Sequence, residues 1–179
     1  MENNMSCKPA SKKNFRIWII PIIVVIALGI LLLISKSLLF KVYDVPGKSM
    51  VPTINPGDKI VTTRINNTNN IERGNIIVFY SDEFKEELIK RVIGLPGDHI
   101  KIHDGIVNIN GEDIKEDYVI NNESFNKVYD VPDNKFFFLA DNRSISVDSR
   151  RWINPYIDGS NIKGKAIFRF SSFNSFGYL

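Results

Sequence analysis

Residues 75–109 read NIIVFYSDEFKEELIKRVIGLPGDHIKIHDGIVNI, and the fold class follows from this stretch. Four short runs rich in Ile, Val and Phe stand out: Asn75–Tyr80, Leu88–Gly94, His99–His103 and Ile106–Ile109. Gly, Pro, Asp and Asn separate them, which is the pattern of strands punctuated by turns. Asp104-Gly105 reads as a two-residue hairpin connection, because both residue types tolerate the positive φ such a turn requires. Pro96-Gly97-Asp98 marks a second turn. Working outward, Lys59–Arg64, Lys135–Ala140 and Lys165–Phe170 have the same character, while helical periodicity is scarce beyond residue 36. A mainly β, antiparallel, barrel-like or sandwich domain is expected.

The N-terminal part is different. From Ile17 to Ser35 there is no charged residue, and these 19 positions are mostly Ile, Leu and Val. As a helix they would extend roughly 28 Å, close to the hydrocarbon thickness of a bilayer. Pro21 and Gly29 are tolerable in such a helix. A cleaved signal peptide is the alternative, since Ser35-Lys36-Ser37 offers small residues at the right spacing, but its apolar segment is usually shorter. Lys8, Lys12, Lys13 and Arg16 precede the span against Glu2 alone, which favours a cytoplasmic N-terminus. The expected organisation is a basic tail (1–14), a single transmembrane anchor (15–36) and an extracytoplasmic β-rich domain (37–179). The net charge of +3 comes mostly from the tail, so no nucleic-acid surface is implied. Cys7, the only cysteine, lies in that tail as a spare thiol or a lipidation site, and it leaves the domain without a disulfide framework.

The candidate chemistry is that of a nucleophile with a base. The chain has two histidines, His99 and His103, four apart on one strand and so about 13 Å from each other, too far to share a metal ion. No metal or cofactor site is expected. A triad through His99 stays open beside the reading of both as surface histidines. Serine with lysine is the other route. Lysine has an ordinary pKa near 10.4 and becomes a base only when burial disfavours its ammonium form. Lys90 sits between Ile89 and Val92 in an apolar run, whereas Lys85, Lys115 and Lys127 have polar neighbours. An edge-strand lysine reaching into solvent would give the same pattern. Ser49 lies in Val45-Pro46-Gly47-Lys48-Ser49-Met50-Val51-Pro52-Thr53-Ile54, where two prolines and a glycine restrict the backbone. Alone, this is equally a rigid turn.

Three segments taken together are more specific: Ser49-Met50-x-Pro52-Thr53, Lys90-Arg91-Val92-x-Gly94-x-Pro96-Gly97-Asp98, and Asp141-Asn142-Arg143-x-x-Ser146-x-Asp148-Ser149-Arg150. They resemble, in order and spacing, the signature boxes of the bacterial type I signal peptidase family, with the anchor just upstream. The resemblance implies a coiled antiparallel β-sheet core and a membrane-bound serine endopeptidase of the bacterial cell membrane. Its expected partners are the bilayer and secretory preproteins whose signal peptides carry small residues at −1 and −3. By resemblance Ser49 is the nucleophile, Lys90 its general base, and Ser146 orients the lysine amine. Arg91 with Asp141, and Asp148 with Arg150, resemble structural ion pairs. Tyr43, Val45, Met50 and Ile89 align with pocket-lining positions, though an ordinary core place accounts for them as well. Lysine at position 90 is similar to the bacterial branch, and glycine at position 47 to Gram-positive members.

Three departures stand beside the match. Ala140 replaces a frequent glycine and would crowd the backbone near Lys90 if its φ were positive. Ser144-Ile145 replaces Asp-Asn, and Gly47 leaves oxyanion binding to main-chain donors such as the Ser49 amide. Nine residues separate Phe40 from Ser49, placing the serine at most roughly 30 Å from the membrane boundary. Phe168 and Phe170 are expected to face a core, with Phe173, Phe176 and Tyr178 available to lipid headgroups. A self-cleaving Ser-Lys protease and a non-catalytic membrane-anchored β domain are the competing readings, and neither explains the anchor and the three motifs together.

Overall fold

A computed structural model describes residues 21–30, 39–171 and 176–179, in two compact units, Met1–Leu39 and Phe40–Leu179. In the first unit residues 21–30 are helical with every side chain exposed. Among the described residues no helix is long and apolar enough to cross a membrane. The basic tail with Cys7, the remainder of the expected anchor, and Phe173 lie outside the described residues.

The second unit is built from β1 (Phe40–Asp44), β2 (Lys59–Thr63), β3 (Ile76–Ser81), β4 (Glu86–Gly94), β5 (His99–His103) and β6 (Ile106–Ile109). It continues with β7 (Glu112–Asp113), β8 (Lys127–Asp130), β9 (Lys135–Leu139), β10 (Tyr156–Asp158), β11 (Ile162–Phe170) and β12 (Phe176–Tyr178). The larger sheet runs β1-β2-β11-β3-β4-β9-β10, with β12 also on β11, and the smaller runs β7-β6-β5-β8. Every strand pair is antiparallel. The two-residue turn between β5 and β6 places Asp104 at φ 48° and Gly105 at φ 80°, as its sequence requires. Gly97, at φ 85°, turns the chain between β4 and β5, where the Asp98 amide donates to the Leu95 carbonyl.

Strand period explains the core. On β9, Phe136 and Phe138 face one side of the sheet with Ile77, Phe79, Val92 and Trp152. Phe137 and Leu139 face the other, against Ile100, Ile102, Val107 and Tyr129 of the smaller sheet. A strand covered on both sides is apolar throughout, hence the uninterrupted Phe136-Phe137-Phe138-Leu139. A third cluster holds Val45, Met50, Ile54, Ile60, Ile76, Val78 and Ala166. Around it the sheet coils: Lys41 of β1 lies 3.7 Å from Glu87 of β4, four places away in the strand order.

One expectation is corrected. Phe168 is half-buried and Phe170 is exposed; neither belongs to a core cluster. The register of β11 against β2 shifts between Ala166 and Phe168, and one inserted residue reverses the face that follows. Ala166 therefore points into the third cluster, while Phe168 stands opposite Val61 and Tyr178 on the outer face.

A second shift, between Val92 and Gly94, adjusts β4 against β9. A Cβ at Gly94 would meet Ile100 Cδ1 at 2.5 Å, Phe137 Cβ at 2.9 Å and Val131 Cγ2 at 2.9 Å. Gly94→Ala is therefore expected to lower unfolding stability by about 1–3 kcal/mol through overpacking, read as a lower Tm of the detergent-solubilised chain.

Candidate active site

Between β1 and β2 the chain closes on itself. The Val45 amide donates to Asp58 O (2.9 Å), the Gly57 amide to Val45 O (2.8 Å) and the Ile54 amide to Met50 O (2.8 Å). Met50 and Ile54 plug this loop into the third cluster, at 1% and 0% exposure. Ser49, half-buried, sits at the loop's turn, and its carbonyl accepts from the Asn142 amide at 2.9 Å.

Lys90 comes from β4, and its Nζ lies 2.9 Å from Ser49 Oγ. Only 5% of the residue is exposed. Burial pushes its pKa below the ordinary value, against opposing pulls from Asp148, Asp141 and Glu86. The two aspartates are themselves engaged. Arg91 grips Asp141 through Nε–Oδ1 (2.8 Å) and Nη2–Oδ2 (2.6 Å). Arg150 grips Asp148 through Nε–Oδ1 (2.8 Å) and Nη2–Oδ2 (2.9 Å). Both aspartates are fully buried. A carboxylate already facing a guanidinium presents little net charge to a third group, so burial prevails at Lys90.

Both expected ion pairs are thus formed. Ser146 is buried, and its hydroxyl donates to Asn142 O at 2.6 Å. With its one proton committed, Ser146 Oγ can serve a neighbouring amine only as an acceptor. Val45 and Met50 belong to the third cluster, and Tyr43 and Ile89 pack against it, so the four expected pocket residues do gather in one place. His99 and His103 lie on the smaller sheet, His99 Nδ1 2.6 Å from Asp130 and His103 Nε2 3.7 Å from Asp113.

Two of the three departures also resolve. Ala140 is not among the positive-φ residues, so its methyl does not strain the backbone. Its amide donates to Asp148 Oδ2 (3.1 Å), and its carbonyl accepts from Arg143 Nε (2.8 Å). Gly47 has no positive φ, and the space where a Cβ would stand is open, so a larger residue would fit there. Sequence reasoning overlooked Thr53, whose hydroxyl donates to Asp141, and Arg143, only 1% exposed and paired with Glu116 at 2.6 Å. A buried arginine demands a carboxylate, yet nothing in the sequence marked Glu116 as the one.

Residues 16–171 match the family model described as signal peptidase, peptidase S26. Signal peptidase I of Bacillus licheniformis is 33% identical, covering 93% of this chain and 95% of its own. Signal peptidase I of Leptolyngbya laminosa is 36% identical over 87% of this chain and 78% of its own. Signal peptidase IB of Staphylococcus aureus strain MRSA252 is 33% identical over 93% and 95%.

Removing Asp148 strips the buried Arg150 guanidinium of its fully buried partner and leaves it the more exposed Glu123, 2.9 Å away. Asp148→Ala is expected to cost about 3–5 kcal/mol of unfolding stability, measured by denaturant titration, and more than Lys59→Ala at the exposed Asp44–Lys59 pair.

Proposed function

The chain belongs to the signal peptidase family, peptidase S26, and we propose that it removes signal peptides with Ser49 as nucleophile and Lys90 as general base. It is a bacterial type I signal peptidase, a serine endopeptidase acting on secretory preproteins. The observation that carries the dyad is the 2.9 Å approach of Lys90 Nζ to Ser49 Oγ, with the lysine 5% exposed.

The chemistry follows from that arrangement. A neutral Lys90 takes the Ser49 proton as Oγ attacks the scissile carbonyl. Main-chain N–H groups about Ser49 face the developing oxyanion. The Lys90 ammonium then protonates the departing amine, leaving an acyl-enzyme. Lys90, neutral again, takes a proton from water as the water oxygen attacks the ester, then returns it to Ser49 Oγ as the signal peptide departs. By family resemblance Ser146 takes the role of orienting the Lys90 amine, while its hydroxyl donates to Asn142 O. Asp141 with Arg91 and Asp148 with Arg150 keep the surrounding segments in place.

Two strand edges suit the substrate. Among the described residues β1 pairs only with β2, and β9 takes Arg91–Gly94 of β4, leaving Glu86–Lys90 paired on the β3 side alone. An extended substrate lying along these edges points its −1 and −3 residues to the same face. That face meets Tyr43, Val45, Met50 and Ile89, a cluster already filled by its own side chains, and only small residues fit against it.

Residues 15–36 form the single anchor in this reading, with the N-terminus cytoplasmic and the catalytic unit on the other side. Val42, Phe168 and Tyr178 line up across neighbouring strands, with Phe40, Phe170 and Phe176 on the same outer face. Phe176 and Tyr178 are 78% and 81% exposed. Such an apolar, aromatic face suits the headgroup region of the bilayer into which the preprotein is inserted.

Detergent-solubilised enzyme should cleave a preprotein after an Ala-x-Ala site, and Ser49→Ala and Lys90→Met should each lower kcat by at least roughly 10²–10⁴-fold. Wild-type activity should fall as pH drops through the lowered lysine pKa; a profile flat through the acid range, or an active Lys90→Met, sinks the dyad. Stability carries the same signature. Between the lowered pKa and the ordinary 10.5, the unfolded chain holds a proton on Lys90 that the folded chain does not. Stability therefore rises with pH across that window, and Lys90→Met should melt higher than wild type at pH 7, its advantage shrinking as pH approaches the upper limit.

A further inference from the structure

The segment 114–126, between β7 and β8, contains neither helix nor strand, yet it carries several side chains into the interior of the site. Its backbone runs along the third motif. The Ile120 amide donates to Asp141 O (3.0 Å), the Arg143 amide to Ile120 O (3.1 Å) and the Ser144 amide to Asn121 O (3.0 Å).

The side chains reach further. The Tyr118 ring covers the Arg91 guanidinium at 3.9 Å, and its hydroxyl donates to Glu116 Oε1 at 2.8 Å. The same carboxylate oxygen accepts from Arg143 Nη2 at 2.6 Å, in a pair with side chains only 2% and 9% exposed. Asn121 Nδ2 donates to Asn142 Oδ1 (3.0 Å), while Asn142 donates from its amide to Ser49 O and from Nδ2 to Lys48 O (3.4 Å). One arm thus ends on Arg91, the neighbour of Lys90 in β4, and the other on the loop that presents Ser49.

We propose that Glu116, Tyr118 and Asn121 are positioning residues for the dyad, holding Lys90 and Ser49 at reacting distance through Arg91, Arg143 and Asn142. This rests on the Ser49–Lys90 assignment. The need for such a brace is geometric. Ser49 stands on a loop and Lys90 on a strand whose edge is free at that point, so no sheet hydrogen bond ties one to the other. Reacting atoms displaced by about 1 Å lose on the order of 10²-fold in rate, so a tie from a third segment has something to protect. Tyr118 is suited to it, since a ring stacked on a guanidinium fixes the plane of the Arg91–Asp141 fork without adding charge.

The test uses the full chain in detergent micelles with a preprotein substrate, measuring kcat and KM across pH. Tyr118→Leu removes the ring and the hydroxyl but leaves charge unchanged. Its kcat should fall roughly 10- to 100-fold, with KM within about twofold of wild type. Its acid limb should move to higher pH, because water entering around Lys90 relieves the burial that disfavours the ammonium. Tyr118→Phe keeps the ring on Arg91 and should stay within about threefold of wild type. Asn121 has φ 47° and is exposed, so Asn121→Gly deletes the amide link without strain; kcat should drop several-fold with KM unchanged. Wild-type kcat and acid limb in Tyr118→Leu, even with a lowered Tm, would overturn the proposal, as would a loss confined to KM. If Tyr118→Leu does not fold, a wild-type kcat in Asn121→Gly overturns it alone. An active Lys90→Met removes the base assignment instead, an outcome that the two Tyr118 variants do not produce.

Discussion

Everything at this site depends on holding one lysine away from water without giving it a counter-charge. Burial alone would suffice only if no carboxylate nearby offered itself as a partner, and Asp141 and Asp148 both act on Lys90. The fold answers by engaging each aspartate with an arginine first. The arginines, being always protonated, keep both carboxylates paired. The motif residues that surround Lys90 therefore act as an electrostatic screen as much as a scaffold. That explains why the ion pairs are so deeply buried, a placement that stability alone rarely favours.

The same need shapes the architecture. Lys90 lies where β4 changes neighbours, its first half paired to β3 and its last residues paired to β9 as well. The change is made by a shift beside Gly94, whose missing side chain lets Ile100, Val131 and Phe137 close in. The smaller sheet packs behind this point, against Ile93, Phe137 and Leu139. Its contribution is to cover the apolar side of β4 and β9.

Much of this was legible in the sequence, for identifiable reasons. β2 to β6, β9 and β11 are apolar runs bounded by turn residues, and local pattern is enough to find them. The hairpin at Asp104-Gly105 is equally local, because the conformation belongs to the residues themselves. The approach of Lys90 to Ser49 and the Arg91–Asp141 and Asp148–Arg150 pairs were legible through three motifs, not through any one residue. What escaped depends on distant partners. β1, β7, β8, β10 and β12 are short or polar and exist because a neighbouring edge receives them. The reversal of Phe168 and Phe170 follows from one inserted residue that no hydropathy pattern announces. Arg143 stood in the third motif without a role, because its partner, Glu116, stands 27 positions earlier in an irregular segment.

The edge of β4 that the described residues leave half-open has a cost. A bare strand edge invites a second copy of the same enzyme as readily as it invites a substrate. Here the edge begins with Glu86 and Glu87, both exposed, and the facing edge of β1 carries Lys41 and Asp44. A strand adding there must strip water from fixed charges unless it occupies only the uncharged stretch beside Lys90. Self-association and fibre growth are thereby discouraged along most of the edge, leaving the short uncharged stretch beside Lys90 as the part that can accept another strand.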